Sequence, residues 1–283
     1  MSTIKPKYHI SFSGGRTSAY MTKKLLDNMS DEYEFIITFA NTGLEHPNTL
    51  EFINNCDTVF GFNTVWLESF VHHDIRKAPS HKIVTFETAS RKGEPFEEVI
   101  KKYGIPNTKF PGCTRDLKLN PINSYIRSLG LNPNKVPTAI GIRTDETRRV
   151  NPATAKERYL TYPLIDTWPS DKQDVLDWWE EQPFDLGIDE FEGNCLGCFK
   201  KSFRKHFQQI ERDPSVYDFH RRMEAEHILT GPQKGERVFF RGHTSTIQLF
   251  KLYEDHKDDP NRAGQLAYEN GGCSESCEVL ETI

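Results

Sequence analysis

Three apolar runs in the first 70 residues, separated by two helix-patterned segments, restrict this chain more than any other feature. "KYHISFS" ends at a double glycine, "YEFIITFANTG" holds the run Phe35 to Ala40, and "FNTVWLES" follows. Between them, "TSAYMTKKLLDNM" places Ala19, Met21, Leu25 and Met29 at helical intervals, and "HPNTLEFINNC" puts Pro47 in a first turn. Strand, helix, strand, helix, strand is the pattern of parallel βαβ units. It predicts an α/β chain on a parallel, doubly wound sheet with helices on both faces.

The pattern continues more loosely. A polar stretch from His72 to about Glu94 reads as loop, with a short strand at "KIVTFE". "EPFEEVIKKYG" and "LNPINSYIRSLG" read as helices, Pro137 to Ile142 as a fourth strand, and "SDKQDVLDWWEEQ" as a helix capped by Ser170 or Asp171. Beyond a boundary placed between Glu181 and Gly193, "SFRKHFQQIERD", "SVYDFHRRMEAEHI" and "STIQLFKLYEDH" are helical and the tail is irregular. The expected organisation is an α/β domain over 1–185 and a mostly helical, cysteine-containing region over 186–283 packed on it. A chain of 283 residues is long enough for this. No run approaches the roughly 18 apolar residues of a membrane span, and the start has no secretory pattern, so the expected compartment is the cytoplasm, away from membranes. The net charge of −5 excludes a uniformly basic nucleic-acid binder and leaves only local patches such as "KKSFRKH".

Chemistry concentrates at strand ends. Ser13-Gly14-Gly15-Arg16-Thr17-Ser18 joins the first strand to the first helix. A helix N-terminus there presents unpaired N–H groups, and glycines admit a phosphate. The same letters also suit a capped glycine turn. Asn41, Thr42 and Gly43 end the second strand on the same edge of the sheet, where open α/β sheets bind ligands. After the fourth strand come Gly141, Arg143, Asp145, Glu146, Arg148 and Arg149. These arginines suit a phosphate or sulfate; the two carboxylates offer ligands for Mg2+ or order the arginines. Of six cysteines, Cys56 sits in an apolar helix and reads as core. Cys195 and Cys198 form a C-x-x-C turn, Cys113 stands next to a glycine, and Cys273 and Cys277 lie in the tail. Three or four thiolates suit a [4Fe–4S] cluster or a structural zinc, and spacing alone does not separate the two.

Five segments in order, from Ser11 to about Trp179, resemble the phosphoadenosine-phosphosulfate (PAPS) reductase family of the PP-loop ATP pyrophosphatases: "SFSGGRTS", "NTGLEHPNTLEF", "GCTRDLKLNPI", "GIRTDETRR" and "YPLIDTWPSDKQDVLDWW". Two features depart from the pattern, since many members have Lys-Asp at Arg16-Thr17 and the reductases end in a different cysteine segment from "GGCSESCEVLETI". The resemblance implies an adenine nucleotide alpha hydrolase-like fold. It implies cleavage of ATP to AMP and pyrophosphate for sulfur transfer, or use of PAPS or adenylyl sulfate. In that reading Ser11, Ser13, Gly14, Gly15, Arg16, Thr17 and Ser18 hold phosphate, Asn41, Thr42, Gly43 and Gly141 line the nucleotide pocket, and Arg143 and Arg148 stabilise developing charge. The resemblance favours iron–sulfur over zinc at Cys113, Cys195 and Cys198, with Cys273 or Cys277 as fourth ligand or as nucleophile. The separated cysteines look closer to the sulfur-inserting members, which implies a nucleic-acid or small-molecule acceptor and a sulfur or electron donor protein. Reduction of PAPS or adenylyl sulfate to sulfite, and a non-catalytic nucleotide-binding module, are the alternatives.

Overall fold

In a computed structural model of the protein, which describes residues 5–74, 76–189, 191–231 and 235–258, one mixed sheet organises the chain. Its strands are β1 (Lys7–Ser11), β2 (Glu34–Asn41), β3 (Val65–Phe70), β4 (Ser80–Val84), β5 (Thr138–Ala139) and β6 (Leu160–Thr161). Their order is β4-β3-β2-β1-β5-β6. All neighbours are parallel except β3 and β4, so the polar stretch after β3 returns as an antiparallel edge strand. The helices are α1 (Arg16–Met29), α2 (Pro47–Phe60), α3 (Glu94–Tyr103), α4 (Asn120–Ser128), α5 (Pro152–Arg158), α6 (Pro163–Asp166), α7 (Lys172–Glu180), α8 (Phe203–Arg212), α9 (Asp218–His227) and α10 (Thr246–His256).

Residue alternation along β1 decides the layers. Tyr8, Ile10 and Phe12 face one side, where they pack with Ala19, Met21 and Leu25 of α1, Phe52 and Ile53 of α2 and Trp179 of α7. Cys56 is fully buried in this layer, as expected of a core thiol. Ile36, Ala40 and Leu67 face the other side and pack against Ile122 and Ile126 of α4. A third cluster joins Phe96, Val99 and Ile100 of α3 to Phe203, Phe207, Met223 and Leu249 of the last three helices. Helices therefore cover both faces, and α8, α9 and α10 pack with α3.

His9 departs from its apolar surroundings. It is buried in β1 with Nε2 2.8 Å from Thr38 Oγ1 on β2 and Nδ1 3.2 Å from Thr138 Oγ1 on β5. Burial pushes its pKa down to about 4, so it is a neutral cross-strand link. The expected fourth strand is much shorter than Pro137–Ile142. After Ala139 the chain leaves the sheet through Gly141, where a Cβ would stand 3.0 Å from the Ser18 Cα. That close approach lets the β5 exit pack against the first turn of α1. One further element has no signature in the sequence: Thr114–Leu119 forms a π-helical turn leading into α4.

Candidate functional site

The carboxyl ends of β1, β2 and β5 open onto one edge, and α1 begins there. Gly14 has φ +81°, and a Cβ on it would lie 2.8 Å from Ile53 Cδ1 and 2.9 Å from Thr49 Cγ2. Only glycine fits without displacing α2. Gly15 is the N-cap of α1, in extended backbone, and as a glycine it supplies no side-chain cap. The N-terminus of a 14-residue helix therefore meets the edge with the positive end of its dipole.

The side chains around this turn are ordered by each other. The Ser13 and Ser18 hydroxyls are 2.8 Å apart, and Ser18 Oγ donates to the Gly15 carbonyl. Arg143, leaving β5, donates through Nη1 to Thr17 Oγ1 at 2.9 Å and clasps Asp145 through Nε and Nη2. These bonds hold the Asp145 carboxyl below its ordinary pKa. Arg149 and Arg143 both pair with Glu146, whereas Arg148 is exposed. Arg16 forks onto Asp185 with two 2.6 Å bonds, and Trp179 Nε1 donates to the Arg16 carbonyl. Burial opposes ionisation of Asp185, yet the Arg16 bonds win and keep its pKa below the usual value. Ser11 is buried in β1 and lines a separate cavity of about 30 Å³ on the α4 side, with His9, Asn123 and Arg158.

Next to this turn, the loop after β2 is built around Glu45. Its carboxylate accepts from Thr42 N, Thr42 Oγ1 and Gly43 N at 2.9–3.1 Å. Burial raises the Glu45 pKa, opposed by Lys118 and the Thr42 hydrogen bonds. Asn41 is equally committed: Nδ2 donates to Glu68 and to the Ser90 carbonyl, and Oδ1 accepts from Gly43 N. Asn41, Thr42 and Gly43 thus shape the edge through backbone and carboxylate contacts. Glu45 is the glutamate of the segment "NTGLEHPNTLEF", three residues after Thr42, and folding makes its carboxylate the acceptor at the centre of the loop.

The structure brings Cys113, Cys195 and Cys198 to one cavity of about 40 Å³, together with Thr42, Thr114, Lys118, Leu196, Lys200, Phe96 and His220. Cys113 arrives from the segment before the π-helical turn, the C-x-x-C pair from the loop before α8, and His220 from α9. Gly197, at φ +61°, lets the knuckle fold onto the His220 ring, since a Cβ would lie 2.4 Å from Cε1. The neighbouring Cys198 sulfur and burial push the Cys195 thiol well above its ordinary pKa, with Lys118 acting the other way. Burial lowers His220 to about 4. Thiols are the donor chemistry of soft metals and clusters. Among the described residues, however, no group of three or more His, Cys, Asp or Glu side chains is placed to hold a metal ion. The remaining candidates, Cys273 and Cys277, lie outside the described residues. Among the described residues no helix is long and apolar enough to cross a membrane.

The chain is 31% identical over 281 residues to the uncharacterized nin region protein ORF290 of Escherichia phage lambda, an alignment that covers 96% of this chain and 94% of that protein. Two uncharacterized proteins of Methanocaldococcus jannaschii match shorter parts. One is 29% identical over 117 residues, 41% of this chain and 22% of that protein. The other is 26% identical over 153 residues, 54% of this chain and 26% of that protein. No protein-family model matches the chain, and no solved structure matches it.

Proposed function

The chain belongs to the family of the nin region protein ORF290 of Escherichia phage lambda, and we propose that it is a PP-loop enzyme of the PAPS reductase type, spending an adenine nucleotide on sulfur transfer to a nucleic-acid or small-molecule acceptor. The observation that carries this reading is the start of α1: a helix N-terminus whose N-cap is a glycine, preceded by a second glycine that tolerates no Cβ, at the carboxyl edge of parallel strands. Helix N-termini of this kind take phosphate through backbone N–H groups. Arg143, fixed on Thr17 of the first turn, lies where it can stabilise charge developing on a phosphoryl group. The acceptor oxygen would attack the α-phosphorus and release pyrophosphate; a sulfur nucleophile would then displace AMP.

The three thiols next to this edge supply a place to hold sulfur. For them we propose a [4Fe–4S] cluster, with zinc the alternative, on donor chemistry alone; no step here depends on either. Mg2+ would accompany the triphosphate. The PP-loop identity and the two-part organisation at residue 185 belong to the same proposal.

Anaerobically purified protein incubated with ATP and Mg2+ should release pyrophosphate, in the presence of the acceptor if not without it. Sulfite from PAPS, lost on Cys273→Ser or Cys277→Ser, would replace this reading by sulfonucleotide reduction. ATP binding with neither product would leave a nucleotide-binding module. Metal analysis with visible and EPR spectra separates iron–sulfur from zinc.

A further inference from the structure

Three loops converge at the carboxyl edge: the Ser13–Ser18 turn, the loop after β2, and the cysteine knuckle. One residue fastens all three. Asn194 Nδ2 donates to the Ser13 carbonyl at 3.0 Å, across 181 positions of sequence. Its own carbonyl accepts from His46 N at 2.8 Å. The next residue, Cys195, bridges Glu45 in antiparallel fashion, and Leu196 N donates to the Leu44 carbonyl at 2.9 Å. Residues 194–196 are therefore a strand stub laid along 44–46, with the first thiol in its middle.

Asn194 is 7% exposed, and its Oδ1 has no hydrogen-bond partner among the described residues. The amide cannot be turned to cure this. The Ser13 carbonyl only accepts, so the NH2 group must face it. An unsatisfied buried oxygen is unfavourable, and an apolar side chain at 194 would avoid it. The contact to Ser13 is what the asparagine supplies in return.

We propose that Asn194 is a positioning residue that couples nucleotide occupancy of the Ser13–Ser18 turn to the Cys195–Cys198 knuckle. The inference rests on the nucleotide reading of that turn. A phosphate seated on the turn fixes the Ser13 peptide. The Ser13 carbonyl then holds Asn194, and Asn194 holds the stub that carries Cys195. Coupling of this kind is reciprocal, so a ligand bound at the thiols changes ATP affinity by the same factor by which ATP changes that ligand's affinity.

Amide hydrogen exchange on the intact protein, with and without saturating ATP and Mg2+, tests the proposal whether or not the thiols carry a metal. In the native protein ATP should slow exchange at 14–18 and also at 196–199, the latter by about fivefold or more. Asn194→Asp keeps the shape and removes the donor; Asn194→Ala removes the side chain. Both should keep the ATP effect at 14–18 and lose it at 196–199. A purely structural asparagine would raise exchange with and without ATP and leave the difference intact, which would overturn the coupling. So would ATP protection of 14–18 in the native protein with none at 196–199, a result that needs no variant to fold. No ATP effect at 14–18 in the native protein would overturn the nucleotide reading itself, and the coupling with it.

Discussion

Replacing Gly14 by alanine isolates the feature on which the phosphate reading depends. At φ +81° an L-residue is in the left-handed region, which costs about 1–2 kcal/mol. The new Cβ would also stand 2.8 Å from Ile53 Cδ1 and 2.9 Å from Thr49 Cγ2. Both belong to α2, and Ile53 is fully buried in the core, so neither can yield freely. Overpacking of this sort costs about 1–3 kcal/mol, for a combined loss of about 2–5 kcal/mol. Gly15 is the control. Its backbone, φ −101° and ψ 162°, is extended and open to any residue, so Gly15→Ala should cost under about 1 kcal/mol as a weaker N-cap. Urea unfolding gives the stabilities, and calorimetric titration with ATP at a temperature where both variants are folded gives the affinities. Gly14→Ala should bind ATP more weakly than Gly15→Ala does, because relief of the clash moves the turn away from α2. A loss below about 0.5 kcal/mol for Gly14→Ala, the ordinary range of a surface substitution, would refute the packing argument.

Other perturbations test neighbouring parts of the account. Arg143→Lys cannot both clasp Asp145 and reach Thr17, so pyrophosphate release should fall while the fold, followed by circular dichroism, persists; undiminished release would remove Arg143 from the chemistry. His9 has a folded pKa of about 4 against 6.5 unfolded, so its stabilisation is complete above pH 6.5 and is lost as pH falls toward 4. The loss amounts to about 3 kcal/mol for this one group, and His9→Gln should flatten the acid limb of a stability-against-pH curve. The Cys195 thiol is held protonated, so its alkylation in metal-free protein should be slow at pH 7 and accelerate as pH rises; Lys118→Gln should slow it further, and an unchanged rate would remove Lys118 from the thiol's surroundings.

The first 70 residues disclose the parallel strands and the position of the glycine turn because period-2 and period-3.6 patterns are local. The antiparallel pairing of β4 is not local. Its register sets Ser80 against Phe70 and Val84 against Trp66, a choice made by the β3 surface. Apolar letters continue to Ile142 and so predict a longer β5 than forms, because the backbone turns away at Gly141 to meet Ser18. The cysteine pattern points to Cys113, Cys195 and Cys198 together, and the three line one cavity although they come from segments far apart in sequence. Arg16 is different: its side chain turns to Asp185, 169 residues away, and nothing near Arg16 announces that partner. Asn194 is as silent, a single polar letter between a glycine and a cysteine until its amide is seen on Ser13.

The most direct measurement is a crystal structure of the protein with a non-hydrolysable ATP analogue and Mg2+. The account predicts phosphate oxygens on the main-chain N–H groups at the start of α1, between Gly14 and Ser18, with Arg143 beside them. A nucleotide bound elsewhere, or crystals grown at saturating analogue with none at that turn, would contradict it.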